Sequence, residues 1–351
     1  MNHFKFYSKQ DILSITRLRR YETKLGEMAD HVVNPAKWQQ EIEQSAADYV
    51  LFGIPEDMGV QANLGRGGAK TLWMPFLDAF LNIQSNDFVE GTELMLLGHF
   101  DFSAISDVIE QNSPNTEEKV LAFRHALGAV DEAVSDLVKV ITANGKIPIA
   151  IGGGHNNAYG MIRGAAKGLN KAGKIPMTQI NCINLDAHTD YRPTEGRHSG
   201  NAFRYAEEDG FLQKYCVVGV HENYLQQNIW NDIVNNPFMD LITWEDIFIH
   251  EKRSFLQAVA HAIDFTLDSF TGIELDLDAI EQTLSSAATP TGVSPVHARR
   301  YINFAAKECR PAYLHICEGA TETADGQKDA YTGKLVSYLV SDFIKAHEEV
   351  I

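Results

Sequence analysis

Eight short apolar runs, each of strand length, recur along this chain with helical patterns between most of them. They fall at Tyr49 to Ile54, Leu94 to Leu97, Ile147 to Ile151, Ile180 to Leu185, Tyr215 to Val220, Leu241 to Trp244, Ile273 to Leu277 and Tyr313 to Cys317. The helical pattern is clearest from Thr116 to Asn144. There Val120, Phe123, Leu127, Val130, Val134, Leu137 and Ile141 recur at three- and four-residue steps, and Asn144-Gly145 supplies the stop. Such alternation predicts parallel strands with helices on both faces, because each crossover must return over the sheet. A chain of 351 residues has room for one large α/β domain or two smaller ones, and 44% hydrophobic content is ample for a core. Residues 1–48 stand outside the alternation. Ser8 with Asp11 predicts a capped helix carrying Ile12, Ile15, Leu18 and Tyr21, an arm that packs on the core or on a neighbouring subunit.

Three runs end in residues that the fold alone does not ask for: Gly152-Gly153-Gly154-His155, Asp186-Ala187-His188-Thr189-Asp190 and Glu274-Leu275-Asp276-Leu277-Asp278. Side chains two apart on a strand share a face. Asp186, His188 and Asp190 can therefore converge as the chain leaves its strand, and Asp276, Asp278 and His155 can meet them. Carboxylates so close raise one another's pKa unless a cation lies between them, and a divalent ion is the simplest answer. A lone Asp-x-Asp is more often a solvated turn or a helix cap, but three such pieces at strand ends lie where open α/β sheets bind ligands. Four aspartates and two histidines make an oxygen-rich, open site that favours Mn, Fe or Co over a closed thiolate zinc site. Six ligands exceed what one tetrahedral ion needs and point to two ions sharing carboxylates, typically about 3.5 to 4 Å apart with an activated water between them. The glycine cluster lacks the lysine and hydroxyl of a phosphate loop; its job is to let the backbone turn so that His155 reaches the metal.

These residues resemble the arginase, agmatinase and formimidoylglutamase group of binuclear manganese ureohydrolases, and the resemblance runs along most of the chain. Gly53-Ile54-Pro55-Glu56-Asp57-Met58-Gly59 and Gly65-Arg66-Gly67-Gly68-Ala69 are similar to the family's first strand and its glycine-arginine loop, and the three motifs above to its metal motifs. The resemblance implies a three-layer α/β/α fold with a mostly parallel, doubly wound, eight-stranded sheet, as one domain over residues 49–351 preceded by a helical arm at 1–48. It implies two Mn(2+) ions, one held by His155, Asp186, Asp190 and Asp276, the other by Asp186, His188, Asp276 and Asp278, with Asp186 and Asp276 as bridges. It also implies a homo-oligomer, trimeric or hexameric.

Chemistry then needs no nucleophilic side chain, since hydroxide held between two cations attacks a planar amidine or guanidine carbon. On the resemblance, Asp278 or Asp190 relays the hydroxide proton to the departing amine, with Asp278 preferred. Glu318 stands where the family carries a glutamate facing the amidine or guanidine group, and it would orient that group through its N–H bonds.

Departures within the family narrow the substrate. Asn156 follows Gly152-Gly153-Gly154-His155, which resembles the formimidoylglutamases in its third glycine and departs from them at Asn156; Ser199-Gly200 and Asp190-Tyr191-Arg192-Pro193 are similar to theirs. Arg192 beside the site suits a dicarboxylate substrate through bidentate pairing, with Arg66 near the same rim. His198 is a candidate replacement for the family's proton-shuttling histidine. The family's S-x-D-x-D-x-x-D-P becomes Glu274 to Gln282 here, keeping both ligands and losing the later Asp-Pro. The expectation is a hydrolase of linear amidine C–N bonds that converts N-formimidoyl-L-glutamate and water to L-glutamate and formamide, a reaction of histidine degradation. The alternative is a guanidino-compound ureohydrolase releasing urea; a binding or regulatory homologue without turnover is a third reading.

Composition excludes other classes. Forty-seven acidic against thirty basic residues give a formal charge of −17, which argues against nucleic acid as a partner. No apolar run approaches the roughly 18 residues of a membrane span, and the start lacks a signal-peptide pattern. Cys182, Cys216, Cys309 and Cys317 show no C-x-x-C spacing; they read as reduced thiols in a cytoplasmic protein.

Overall fold

The eight apolar runs all become strands, and two more precede them. In the computed structural model, which describes residues 3–351, the strands are β1 (Phe4–Phe6), β2 (Asp30–His31), β3 (Tyr49–Gly53), β4 (Leu94–Phe100), β5 (Ile147–Ile151), β6 (Ile180–Leu185), β7 (Leu212–Val220), β8 (Met239–Thr243), β9 (Thr271–Asp276) and β10 (Pro311–Cys317). They form one sheet in the order β1-β4-β3-β5-β10-β9-β6-β7-β8, with β2 also paired to β4. Every pairing is parallel except that of β1 with β4.

Parallel central strands must be covered on both faces, which is why β3, β6, β9 and β10 are buried along their whole length. Helices Trp73–Phe80, Phe255–Thr266, Pro295–Glu308 and Thr332–Glu348 pack on one face. Helices Thr116–Ala143, Asn157–Lys171 and Ala202–Glu208 pack on the other. The periodic residues Phe123, Leu127, Val130, Val134, Leu137 and Ile141 are all buried, and the helix stops at Asn144 with Gly145 at φ 74°. No helix among the described residues is long and apolar enough to cross a membrane.

The segment before Tyr49 is less helical than its sequence implies. Ser8 and Asp11 do form a reciprocal capping box, and Ile12 enters the core, but the helix ends at Ile15. Leu18 and Tyr21 lie beyond it and are exposed. Instead of a helical arm alone, the segment contributes β1 and β2 to the main sheet.

The long connection after β6 carries several candidate residues, and Arg197 ties it down. Its guanidinium donates to both oxygens of Asp131 at 2.8 and 3.1 Å, to Asn201 Oδ1 at 3.0 Å and to the Asn156 carbonyl at 2.8 Å. The rings of Tyr159 and Tyr205 lie 4.7 and 5.0 Å from it. Asp131 sits on the Thr116–Ala143 helix, so one buried pair joins loop to scaffold. Removing one partner of such a pair strands a charge. Asp131→Ala should therefore lower the unfolding free energy by about 3–5 kcal/mol in denaturant titrations. A loss below about 1 kcal/mol would show that Arg197 is not held by Asp131.

Candidate metal centre

Four neighbouring strands, β5, β10, β9 and β6, deliver the acidic motifs to one edge of the sheet, beyond their carboxyl ends. The approach of His155 depends on Gly152 and Gly153, at φ 86° and 80°. A Cβ on Gly153 would lie 2.5 Å from Asn157 Nδ2 and 2.7 Å from the Ile54 carbonyl, so glycine is required both for φ and for space. Glu56 then clamps the turn. Its carboxylate accepts from the Gly154 N–H at 3.2 Å, the side-chain amides of Asn156 and Asn157 at 3.1 and 2.6 Å, and the Met58 N–H at 2.7 Å.

The turn brings His155 Nδ1 to 2.7 Å from Asp190 Oδ2, 3.2 Å from Asp276 Oδ2 and 3.3 Å from Asp186 Oδ2. These four residues offer donor atoms all within 4.8 Å of one another. On the other side, His188 Nδ1 lies 3.5 Å from Asp186 Oδ1 and 3.9 Å from Asp278 Oδ2. One oxygen of Asp186 thus faces His155 and the other faces His188, an arrangement suited to a shared ligand. Asp186 Oδ1 and Asp276 Oδ1 also accept the backbone N–H groups of His188 and Asp278, each at 2.7 Å, which fixes both carboxylates in place.

The electrostatics fit a cation. Burial, then the charges of Asp278 and Asp186, push Asp276 well above the usual carboxylate range. Asp190 is raised by burial and by Asp186. Glu318, buried and facing Asp278, is pushed up to about 8. Burial alone would raise Asp186 and depress both histidines; the close approach of imidazole and carboxylate overcomes it, holding Asp186 down and His155 and His188 well above their ordinary values. Without a metal the cluster can lower its own repulsion only by gathering protons. Divalent ions bound at oxygen and imidazole donors would replace those protons, and the donor set suits manganese.

Beside the centre lies a cavity of about 230 Å³ whose wall includes His188, Asp190, Asp276, Asp278 and Glu318. Glu318 adopts φ 62°, a costly conformation for a residue with a side chain that concentrates at functional sites. One of its oxygens accepts the His155 N–H at 2.7 Å and the other has no hydrogen-bond partner. Asp278 is set by the returning loop, whose Ala287 N–H and Ser286 hydroxyl donate to it at 3.0 and 3.3 Å. These contacts come from the segment beyond Gln282, where the Asp-Pro is missing.

Of the five residues expected to meet substrate, Arg192 and Ser199 line this cavity. Arg192 donates to Asn63 Oδ1 at 2.6 Å and to Glu195 Oε1 at 2.7 Å. The other three are placed differently. Asn156 is buried, with its amide committed to Glu56. Arg66 is turned toward the Ser285 carbonyl at 2.8 Å and Asp325 at 3.2 Å, where it pins the loop leading to Ser286. His198 lies behind the wall: its Nδ1 accepts the Gly200 N–H at 3.1 Å and its Nε2 lies 3.2 Å from Glu195. Burial and the charges of Arg192 and Arg124 push it down to about 4, and its ring contacts brace the turn at Gly200. The motifs gave no sign of Asn63 or of Tyr224, whose ring stacks on His188 at 5.1 Å; both also line the cavity.

Residues 47–331 match the profile of the arginase family. A formimidoylglutamase of Streptococcus pyogenes serotype M49 is 28% identical over 258 residues, covering 71% of this chain and 68% of that protein. One from Psychrobacter cryohalolentis is 25% identical over 331 residues, covering 87% and 88%. Among solved structures, a Bacillus subtilis formimidoylglutamase superposes with a TM-score of 0.70 at 16% identity, over 95% of this chain and 94% of that one. A Trypanosoma cruzi formiminoglutamase with manganese gives 0.68 at 19% identity, over 93% and 98%. The last two likenesses speak to the fold.

The proton-gathering carboxylates and histidines set a pH dependence. A group raised in the folded state stabilises below its unfolded pKa and loses that contribution as pH rises through the folded value. For Glu318 the window runs from about 4.5 to about 8, and His155 and His188 act in the same direction above 6.5. Asp186, being lowered, matters only below its ordinary value of 3.8. Chelator-stripped protein should therefore melt at progressively lower temperature between pH 5.5 and 8, whereas manganese-loaded protein should not. Parallel melting curves with and without manganese would refute the metal reading.

Proposed function

Because this chain belongs to the arginase family, we propose that it hydrolyses the amidine C–N bond of N-formimidoyl-L-glutamate, giving L-glutamate and formamide. The observation that carries this reading is a metal cavity whose lining includes both Arg192 and a glutamate, Glu318, with one uncommitted oxygen. A formimino group is an N–H donor, and the rest of this substrate is a dicarboxylate. His155, Asp186, Asp190 and Asp276 would hold one divalent ion and His188, Asp186, Asp276 and Asp278 a second, manganese by preference, and these would supply Lewis acidity and an activated water.

The protein's own groups do the rest. Glu318 accepts the formimino N–H groups and orients the planar carbon. Water oxygen bonds to that carbon, the C–N bond to the glutamate nitrogen breaks, and of the two protons released from water one goes to the formimino nitrogen that stays in formamide and the other to the departing glutamate nitrogen. Asp278 is the better placed carrier, since it lines the cavity and is fixed by Ala287 and Ser286; Asp190 faces His155 more closely. Arg192, braced by Asn63, offers its guanidinium to a substrate carboxylate and repels the cationic amine end of agmatine. The family resemblance and the four free, buried cysteines support a homo-oligomer working in the cytoplasm, in histidine degradation.

Purified protein supplied with manganese should release formamide from formimidoylglutamate. Urea from agmatine or arginine, with no formamide, would replace this reading by the guanidino alternative. Arg192→Ala should raise KM for formimidoylglutamate about ten- to hundredfold, the worth of a charge-assisted pair of about 1.5–3 kcal/mol, while metal content stays unchanged. Glu318→Gln keeps the side chain's size and removes its charge, so kcat should fall with both ions retained. An unchanged kcat would make Glu318 a structural residue.

A further inference from the structure

One pleat below the ligand carboxylates runs a second row of polar side chains that the reaction above does not use. Asn184 of β6 is paired with Glu274 of β9, and Glu274 with His315 of β10. The two-residue period puts this row on the same face as Asp186 and Asp276. All three residues are fully buried. Asn184 donates to Asp186 Oδ2 at 3.0 Å. The Glu274 carboxylate accepts from the Tyr313 hydroxyl at 2.7 Å, lies 2.6 Å from His315 Nδ1, and stands 3.4 Å from His155 Nε2. His155 Nε2 is buried and has no other hydrogen-bond partner among the described residues to satisfy it, so the Glu274 carboxylate is the charged group that faces it. Its opposite nitrogen, Nδ1, is the one that faces Asp186, Asp190 and Asp276.

We infer that Glu274 is a positioning residue for the metal centre: it holds the proton of His155 on Nε2, so that the Nδ1 lone pair is presented to the cation. The inference rests on the metal-centre reading and goes beyond it. An ionised carboxylate only accepts hydrogen bonds, so it specifies which nitrogen carries the proton, whereas a hydroxyl can donate or accept and specifies neither. Such a carboxylate–histidine–metal arrangement also makes the ligand nitrogen more basic. The sheet is built to keep this charge buried. The Tyr313 hydroxyl donates to it at 2.7 Å and His315 Nδ1 stands 2.6 Å from it. Gly272, two residues earlier on the same face, leaves room for Tyr313, since a Cβ there would lie 2.5 Å from the phenol hydroxyl. Chain and site are therefore coupled through one carboxylate.

The test is Glu274→Gln, which preserves size and offers an N–H where only an acceptor stood. Elemental analysis and chelator competition with manganese should show one of the two ions bound ten- to hundredfold more weakly. Tyr313→Phe, which removes a bond to the same carboxylate but leaves it facing His155, should keep both ions. Histidine 1H–15N spectra of wild-type protein loaded with magnesium, as a diamagnetic stand-in, should show the His155 Nε2 proton shifted downfield by a hydrogen bond to a carboxylate; these decide the matter even if Glu274→Gln does not fold. Unchanged manganese affinity in Glu274→Gln, or a wild-type His155 Nε2 proton without that hydrogen bond, would overturn the inference alone. Failure of the wild type to take up any divalent ion would overturn the metal centre itself, and this inference with it.

Discussion

Mutual repulsion among buried carboxylates is the constraint around which this molecule is arranged. Asp186, Asp190, Asp276, Asp278 and Glu318 line or border one small cavity, and water cannot screen them there as it does at a surface. Three kinds of device contain the repulsion. Backbone N–H groups of His188, Asp278, Ala287 and His155 each donate to one of the carboxylates. Imidazoles stand between the aspartates. The remainder is left for cations, so the capacity to bind metal follows from a repulsion that the fold does not fully neutralise. Stability is given up at the site in a form that metal ions restore.

What could be read beforehand divides along a physical line. The eight long strands and the ligand motifs are patterns of neighbouring residues: apolar runs, a two-residue alternation, glycines before a histidine. Such patterns survive any uncertainty about how distant segments meet. The polar row of Asn184, Glu274 and His315 could not be seen in that way, because it exists only through the register of β6, β9 and β10. Glu274 looked like a departure from a motif; in three dimensions it faces the imidazole of His155. Asn156, Arg66 and His198 misled for the converse reason. Nearness to a motif placed them at the cavity, but their side chains have nearer partners in Glu56, Ser285 and Gly200. The first strand, Phe-Lys-Phe, is too short to announce itself, and the helix after it ends sooner than its apolar spacing implied.

Loops around the cavity owe their shape to side chains that never enter it. Glu56 sets the glycine turn, Arg66 the Ser285 segment, Arg197 the long connection after β6, and His198 the turn at Ser199. Each is a charged or polar group held by at least one directed bond to backbone and by a side-chain partner beside it. This division leaves the cavity-lining residues free to differ while the surrounding frame is kept, which suits a fold that serves several related amidine and guanidine substrates.

The antiparallel pairing of Phe4–Phe6 with Phe100, His99 and Gly98 also bears on how the molecule reaches this state. Leu94–Phe100 is an almost wholly buried, apolar strand whose outer side is otherwise covered only by the two-residue β2. Until the first residues of the chain fold back across roughly ninety positions, that side offers free N–H and C=O groups to any passing strand. Shortening the chain by its first six or seven residues would leave the cavity untouched and turn a sealed border into an adhesive one, so the damage would appear as aggregation during synthesis and refolding.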